Sequence, residues 1–110
     1  MGSNKQYDGG NRLSEKRSLK LGERVSEKLR ENPDRIIDQG LTMLDEWEQQ
    51  GKMSPYRREW RSLLEERDLV SIHDILTTDT DEFHSLRQES PLTPILTRDE
   101  RDDVIMDLIP

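Results

Sequence analysis

Residues 33–66 read PDRIIDQGLTMLDEWEQQGKMSPYRREWRSLLEE. The stretch divides at Gln50-Gly51-Lys52-Met53-Ser54-Pro55, and each half carries one of the chain's two tryptophans, Trp47 and Trp60. Asn32 is suited to cap the first half, because its side-chain oxygen accepts from an early backbone N–H that lacks a helical partner. Pro33 fits the first turn, where no N–H is needed, and Asp34 complements the positive end of the helix dipole. Ile36, Ile37, Leu41, Leu44 and Trp47 fall on one helical face. Gly40 lies on or beside that face and predicts a close helix–helix contact. Gly51 is a C-terminal stop, and Ser54-Pro55 restarts the chain as cap and first turn. Tyr56, Trp60, Leu63 and Leu64 form the second face. A break this short makes two amphipathic helices antiparallel neighbours, 33–50 against 55–66. Both tryptophans sit near the closed end, where core packing is the expected role and a recognition surface the alternative.

On the N-terminal side, residues 1–12 are Gly-, Asn- and Asp-rich without periodicity, which predicts a disordered tail. A charged helix follows from Leu13 to Arg30 with Ser14 as its cap. Leu21, Val25 and Leu29 make a narrow apolar stripe, and Arg17, Lys20, Arg24 and Lys28 a basic side. Such a side suits DNA, RNA or an acidic lipid surface. The interleaved Glu23, Glu27 and Glu31 make a solvated face of local ion pairs the plainer reading.

On the C-terminal side, Arg67–Val70 is a short connection. Ser71-Ile72-His73-Asp74 has the form of a capping box for a brief helix through Leu76. Asp79-Thr80-Asp81-Glu82 starts another helix running to about Gln88, with Phe83 and Leu86 inward. Ser90-Pro91 breaks it, and Leu92–Leu96 reads as an apolar loop held extended by Pro91 and Pro94. Thr97-Arg98-Asp99-Glu100 is a full capping box for a last helix carrying Val104, Ile105, Leu108 and Ile109. No segment alternates as a strand does. The expected fold is all-α, a small bundle of about five helices over residues 13–110 built around the hairpin.

The whole is 110 residues, 30% hydrophobic and 37% charged, which is lean for a free-standing core; a partner or self-association would help cover the apolar faces. With no cysteine there is no disulfide frame and no thiolate metal site. No long apolar run suggests a signal peptide or membrane span, so the cytoplasm is the expected location. Gln6 stands where a myristoylation motif wants Ser or Thr. The net charge of −7 is uneven: residues 1–31 hold 8 Lys/Arg against 5 Asp/Glu, residues 32–110 hold 9 against 19. Such a body is a poor match for a phosphate backbone and a better one for a basic protein surface.

Chemical motifs are sparse. His73 and His84 lack partners at metal-ligand spacing, and no phosphate loop or nucleophile elbow is present. Asp79-Thr80-Asp81 opens like a calcium loop, but Phe83 and the missing glycine end it. Arg67, five residues ahead of His73, resembles the Arg-x(4–6)-His signature of HEPN-type helical ribonucleases; a surface arginine and a half-buried histidine are the plainer reading.

The succession Trp60, Leu64, Ile75-Leu76, Thr78-Asp79-Thr80-Asp81-Glu82, Leu86-Arg87-Gln88-Glu89-Ser90-Pro91, Ile95-Leu96-Thr97 and Glu100-Arg101 resembles small bacterial and archaeal helical proteins of toxin–antitoxin modules. These pair with nucleotidyltransferase-like toxins of the AbiEii/MenT type. Leu92, Thr93 and Pro94 depart from the family pattern, which has Phe after the Ser-Pro pair. The resemblance implies a non-enzymatic antitoxin that neutralises its toxin by direct contact, without cofactor or metal. Arg87, Gln88, Ser90, Pro91, Val104, Ile105 and Leu108 are its candidate partner-binding residues, with a structural corner as the other role for Arg87 to Pro91. Two alternatives stand beside it: a nucleic-acid-binding regulator using helix 13–30, and a ribonuclease using Arg67 and His73.

Overall fold

A computed structural model describes the backbone of residues 2–108 and the side chains of residues 13–108. The described residues form six α-helices and no strand: α1 (Gly2–Glu31), α2 (Pro33–Gln49), α3 (Pro55–Glu66), α4 (Leu69–Thr77), α5 (Asp81–Gln88) and α6 (Arg98–Asp107). A single 3-10 turn, Thr93–Ile95, precedes α6. This is the all-α bundle expected, and no described helix is long and apolar enough to cross a membrane.

The α2–α3 hairpin forms as its punctuation dictates. Asn32 accepts from the Arg35 N–H, and Ser54 from the Arg57 N–H at 3.2 Å. At the end of α2, Gly51 adopts φ +70°, which lets Gly51 N–H reach Glu48 O and Lys52 N–H reach Trp47 O. These two bonds satisfy carbonyls that the helix itself leaves open. The end of α3 has the same pair, Arg67 N–H to Leu64 O and Asp68 N–H to Leu63 O, but the left-handed residue is Arg67 at φ 55°. No glycine marks that stop.

The core is the inner face of this hairpin closed over by the other helices. Trp60 is fully buried, and its Nε1 donates to Leu86 O at 2.7 Å. Leu44, Leu64, Ile72, Leu76 and Leu92 are also at 0% exposure. Gly40 is the close contact expected: a Cβ there would stand 2.6 Å from Leu92 Cδ2 and 3.0 Å from Leu64 Cδ1. Trp47 is only partly buried against the core.

The long helix α1 is the spine on which α2, α4, α5 and α6 pack. Beside the expected stripe of Leu21, Val25 and Leu29 runs a second row of small buried residues, Ser18, Gly22 and Ser26. These four-residue steps make a shallow groove that seats α4. Gly22 is its tightest point, since a Cβ there would lie 2.1 Å from the Leu76 carbonyl oxygen.

Three local expectations are corrected. Because α1 begins at Gly2, Ser14 lies inside the helix and does not cap it. The cap of α4 is Asp68, not Ser71: its carboxylate accepts from the Ser71 N–H and hydroxyl, so the helix starts at Leu69. The carboxylate directly after the left-handed break simply comes first. Residues 92–96 are a 3-10 turn instead of an extended loop, with Ile95 N–H on Leu92 O and Leu96 N–H on Thr93 O. The fixed φ of Pro94 suits a helical first turn, and the turn buries Leu92 and Leu96 together. The tail over 1–12, expected to be disordered, and Ile109, expected on the last helix, lie outside the residues whose side chains are described.

Candidate functional site: an arginine-lined cleft beside the Arg87 corner

Arg87 is the pivot of the second half. It is 4% exposed, although it carries a charge, because two helices supply acceptors for it. Its Nη1 donates to Ile75 O at 2.7 Å and Thr78 O at 2.8 Å, and its Nε to Ser18 Oγ at 3.0 Å. The carbonyls belong to the C-terminal end of α4, where the helix dipole is negative, so the cation and the exposed carbonyls satisfy each other. Arg87 therefore holds the last carbonyls of the preceding helix, not those of its own. Burial pushes the guanidinium's pKa down, opposed by Asp79 and Glu15. Nη2 is buried with no acceptor.

Ser90 and Pro91 form the corner after α5, and both are buried. The Ser90 hydroxyl accepts from the Leu92 N–H at 3.0 Å, a two-residue turn that aims Leu92 into the core. Gln88 is exposed beside them. Of the residues marked for partner binding, Arg87, Ser90 and Pro91 thus have their side chains inside the fold.

Beside this corner opens a cleft of about 490 Å³ between α1, the hairpin, the 3-10 turn and α6. Its wall carries four arginines, Arg17, Arg57, Arg87 and Arg101, and no Asp or Glu. Three of these belong to the body of the protein, which has only nine basic residues against nineteen acidic ones. Arg57 lies over the Trp47 ring at 4.0 Å and pairs with Glu89 just behind the wall at 2.7 Å. Arg101 reaches Thr93 O at 3.4 Å and, like Arg17, has no carboxylate partner among the described residues. Leu21, Trp47, Pro94 and Ile105 supply apolar wall.

Helix α6 forms one lip. Its inner row is fixed by Glu100, which closes the expected capping box with Thr97 and also pairs with Lys28 at 2.9 Å and Arg24 at 3.3 Å on α1. These contacts push the Glu100 carboxyl down to about 2, the Thr97 backbone N–H contributing most and Lys28 next. Val104, one turn on, is buried, whereas Ile105 is exposed at the cleft lip and Leu108 half-buried. Asp99, Asp102, Asp103, Met106 and Asp107 face outward.

The Arg67–His73 pair serves two separate contacts. Arg67 pairs with Asp34 on α2. His73 turns to α1, where its Nδ1 is 2.6 Å from Ser26 Oγ. Burial lowers the His73 pKa, with Arg30 adding to the effect. The basic side of α1 is partnered except at Arg17: Lys20 with Glu23, Arg24 with Glu27 and Glu100, Lys28 with Glu100. No group of three His, Cys, Asp or Glu residues among those described could hold a metal ion.

No signal in the linear sequence marked the cleft. Its arginines stand at 17, 57, 87 and 101, on four different helices. Compared with known proteins, the chain matches no family model, no curated protein and no solved structure.

Proposed function

We propose that this chain is a non-enzymatic binding protein of the cytoplasm, an antitoxin that neutralises a nucleotidyltransferase-like toxin by docking on its basic surface. The observation that carries the reading is the outer face of α6: Asp99, Asp102, Asp103 and Asp107 surround Met106, which is 65% exposed. An apolar anchor ringed by acid suits a partner surface built to hold phosphate. The basic rim of such a surface would steer encounter, and the methionine would be covered on docking. A catalytic alternative has less support, because Arg67 and His73 each have a structural partner on a different helix. A nucleic-acid regulator has less support too, because Lys20, Arg24 and Lys28 on α1 are paired within the chain.

The test is co-expression with a nucleotidyltransferase-like toxin of the AbiEii/MenT type, scored by growth and by a purified 1:1 or higher complex. Wild type should restore growth. A variant with Asp102→Lys, Asp103→Lys and Met106→Glu leaves the α1-facing row untouched, so it should fold normally by circular dichroism and fail to rescue. Rescue by that variant, or toxicity unaffected by the wild-type chain, would overturn the reading.

A further inference from the structure

Going beyond the docking reading, we infer that the arginine-lined cleft is a binding site for a compact organic polyphosphate, a nucleotide-sized ligand with two or more phosphate charges. The first ground is charge. A wall with four guanidinium groups and no carboxylate stands in a chain of net charge −7. Glu89 offsets Arg57 alone. Asp79 and Glu15 act on Arg87 without bonding it. Arg17 and Arg101 face the cleft from opposite helices with no carboxylate of their own among the described residues.

The second ground is the state of Arg87. Its bonds to Ile75, Thr78 and Ser18 fix the guanidinium so that it cannot turn away, yet Nη2 is left without an acceptor. A buried charged group with an unpaired donor is costly, and the positive charge held in place at the wall favours an anion in the cleft. Planar guanidinium forks match the oxygens of phosphate, and the hydroxyls of Ser14 and Thr93 on the wall add donors of the kind that phosphate accepts.

The third ground is size and shape. About 490 Å³ lies in the range of small-molecule sites. A long nucleic acid would run from the cleft over an acidic surface that repels it, so the charge must be compact. The apolar part of the wall, with Trp47 and Ile105, gives the organic portion a surface to lie on.

The experiment is titration calorimetry of the full chain with ATP, with inorganic pyrophosphate and with a hexaglutamate peptide, at two salt concentrations. ATP should bind, more weakly at high salt. Arg17→Gln and Arg101→Gln, both exposed and outside the core, should each weaken it about tenfold, the loss of one charge-assisted bond. Arg61→Gln, on α3 but paired with Asp45 and Glu48 away from the cleft, should leave it unchanged. Pyrophosphate binding as tightly as ATP would place recognition in the phosphates alone; tighter ATP would add the apolar wall. Absence of binding by both phosphates, indifference to Arg17→Gln and Arg101→Gln, or tighter binding of hexaglutamate would overturn the assignment. None of these readouts involves a toxin, so this site and the docking reading fail separately.

Discussion

Replacing Glu100 by Gln removes one charge at the place where α6 is fastened to the rest of the molecule. Gln retains the capping-box geometry, because it too can accept from the Thr97 N–H; what is lost is the ion pairing with Lys28 and Arg24. The Glu100 carboxyl falls from 4.5 to about 2 in the fold. At about 1.4 kcal/mol per tenfold change in proton affinity, that displacement has a ceiling of roughly 3 kcal/mol. The Thr97 N–H is the largest cause of that displacement and Gln keeps its bond; the rest lies in partly exposed pairs, Glu100 being 17% and Arg24 and Lys28 39% and 25% exposed, so the expected loss is about 1 kcal/mol. The sign follows from the lowered carboxyl: its stabilisation is complete above the unfolded value and disappears as pH falls from about 4.5 toward 2. Thermal unfolding at pH 7 should show the variant about 4–8 °C below wild type per kcal/mol lost, with the gap closing toward pH 2. Because α6 packs mainly on α1, amide exchange should accelerate first in residues 101–107. Equal midpoints at pH 7, or a gap that stays constant into acid, would refute the ion-pair account.

The two buried glycines should respond differently to alanine. Gly22→Ala meets the backbone oxygen of Leu76 at 2.1 Å and must push α4 off α1, whereas Gly40→Ala meets the tip of Leu92, which can turn. Gly40→Ala should cost about 1–3 kcal/mol and Gly22→Ala more; the reverse order in denaturant titrations would contradict the packing described. Arg67→Gly should raise stability by about 1 kcal/mol, since glycine adopts φ 55° freely and the exposed pair with Asp34 is worth only a few tenths; a loss of stability would show the pair to be the larger effect. His73, whose pKa is lowered by burial, stays neutral in the fold, so its contribution is intact above pH 6.5 and lost as pH drops below that value. His73→Gln should flatten the stability profile below pH 6.5, and an unchanged profile there would remove His73 as its source.

What the sequence disclosed follows from the range of each interaction. The hairpin was legible because caps, stops and apolar spacing act within a few residues: Asn32, Gly51 and Ser54 each bond to a backbone group no more than five positions away. Thr97-Arg98-Asp99-Glu100 was legible as a cap for the same reason. Its second role was not, since Lys28 lies 72 positions from Glu100 and no local pattern distinguishes that lysine from Lys20. The break after Glu66 was legible, but the left-handed backbone of Arg67 was not, because left-handed residues are read from glycine and asparagine, and here an arginine takes the strain. Ser18, Gly22 and Ser26 were passed over for the leucines and valine beside them. Small residues carry no hydrophobic signal, yet their lack of bulk is what lets α4 approach.

The same reasoning explains how a charged chain with little apolar content closes a core. Arginine here does part of the work usually left to apolar side chains. Arg87 binds carbonyls from α4 and a hydroxyl from α1 while its stem fills interior space, and Arg57 covers Trp47 while pairing with Glu89. Each use needs an acceptor at a definite place, and residues far apart in the chain supply them. A guanidinium placed this way is rigid, and rigid cations that converge without carboxylates between them constitute an anion site whether or not the fold requires one. The cleft is therefore more than leftover space between helices. The fold needs Arg87 for the end of α4 and Arg57 for the hairpin, but nothing within the described chain requires Arg17 and Arg101 to face the same opening. Those two residues separate a binding site from a by-product of packing, and for that reason they, not Arg87, are the ones to change.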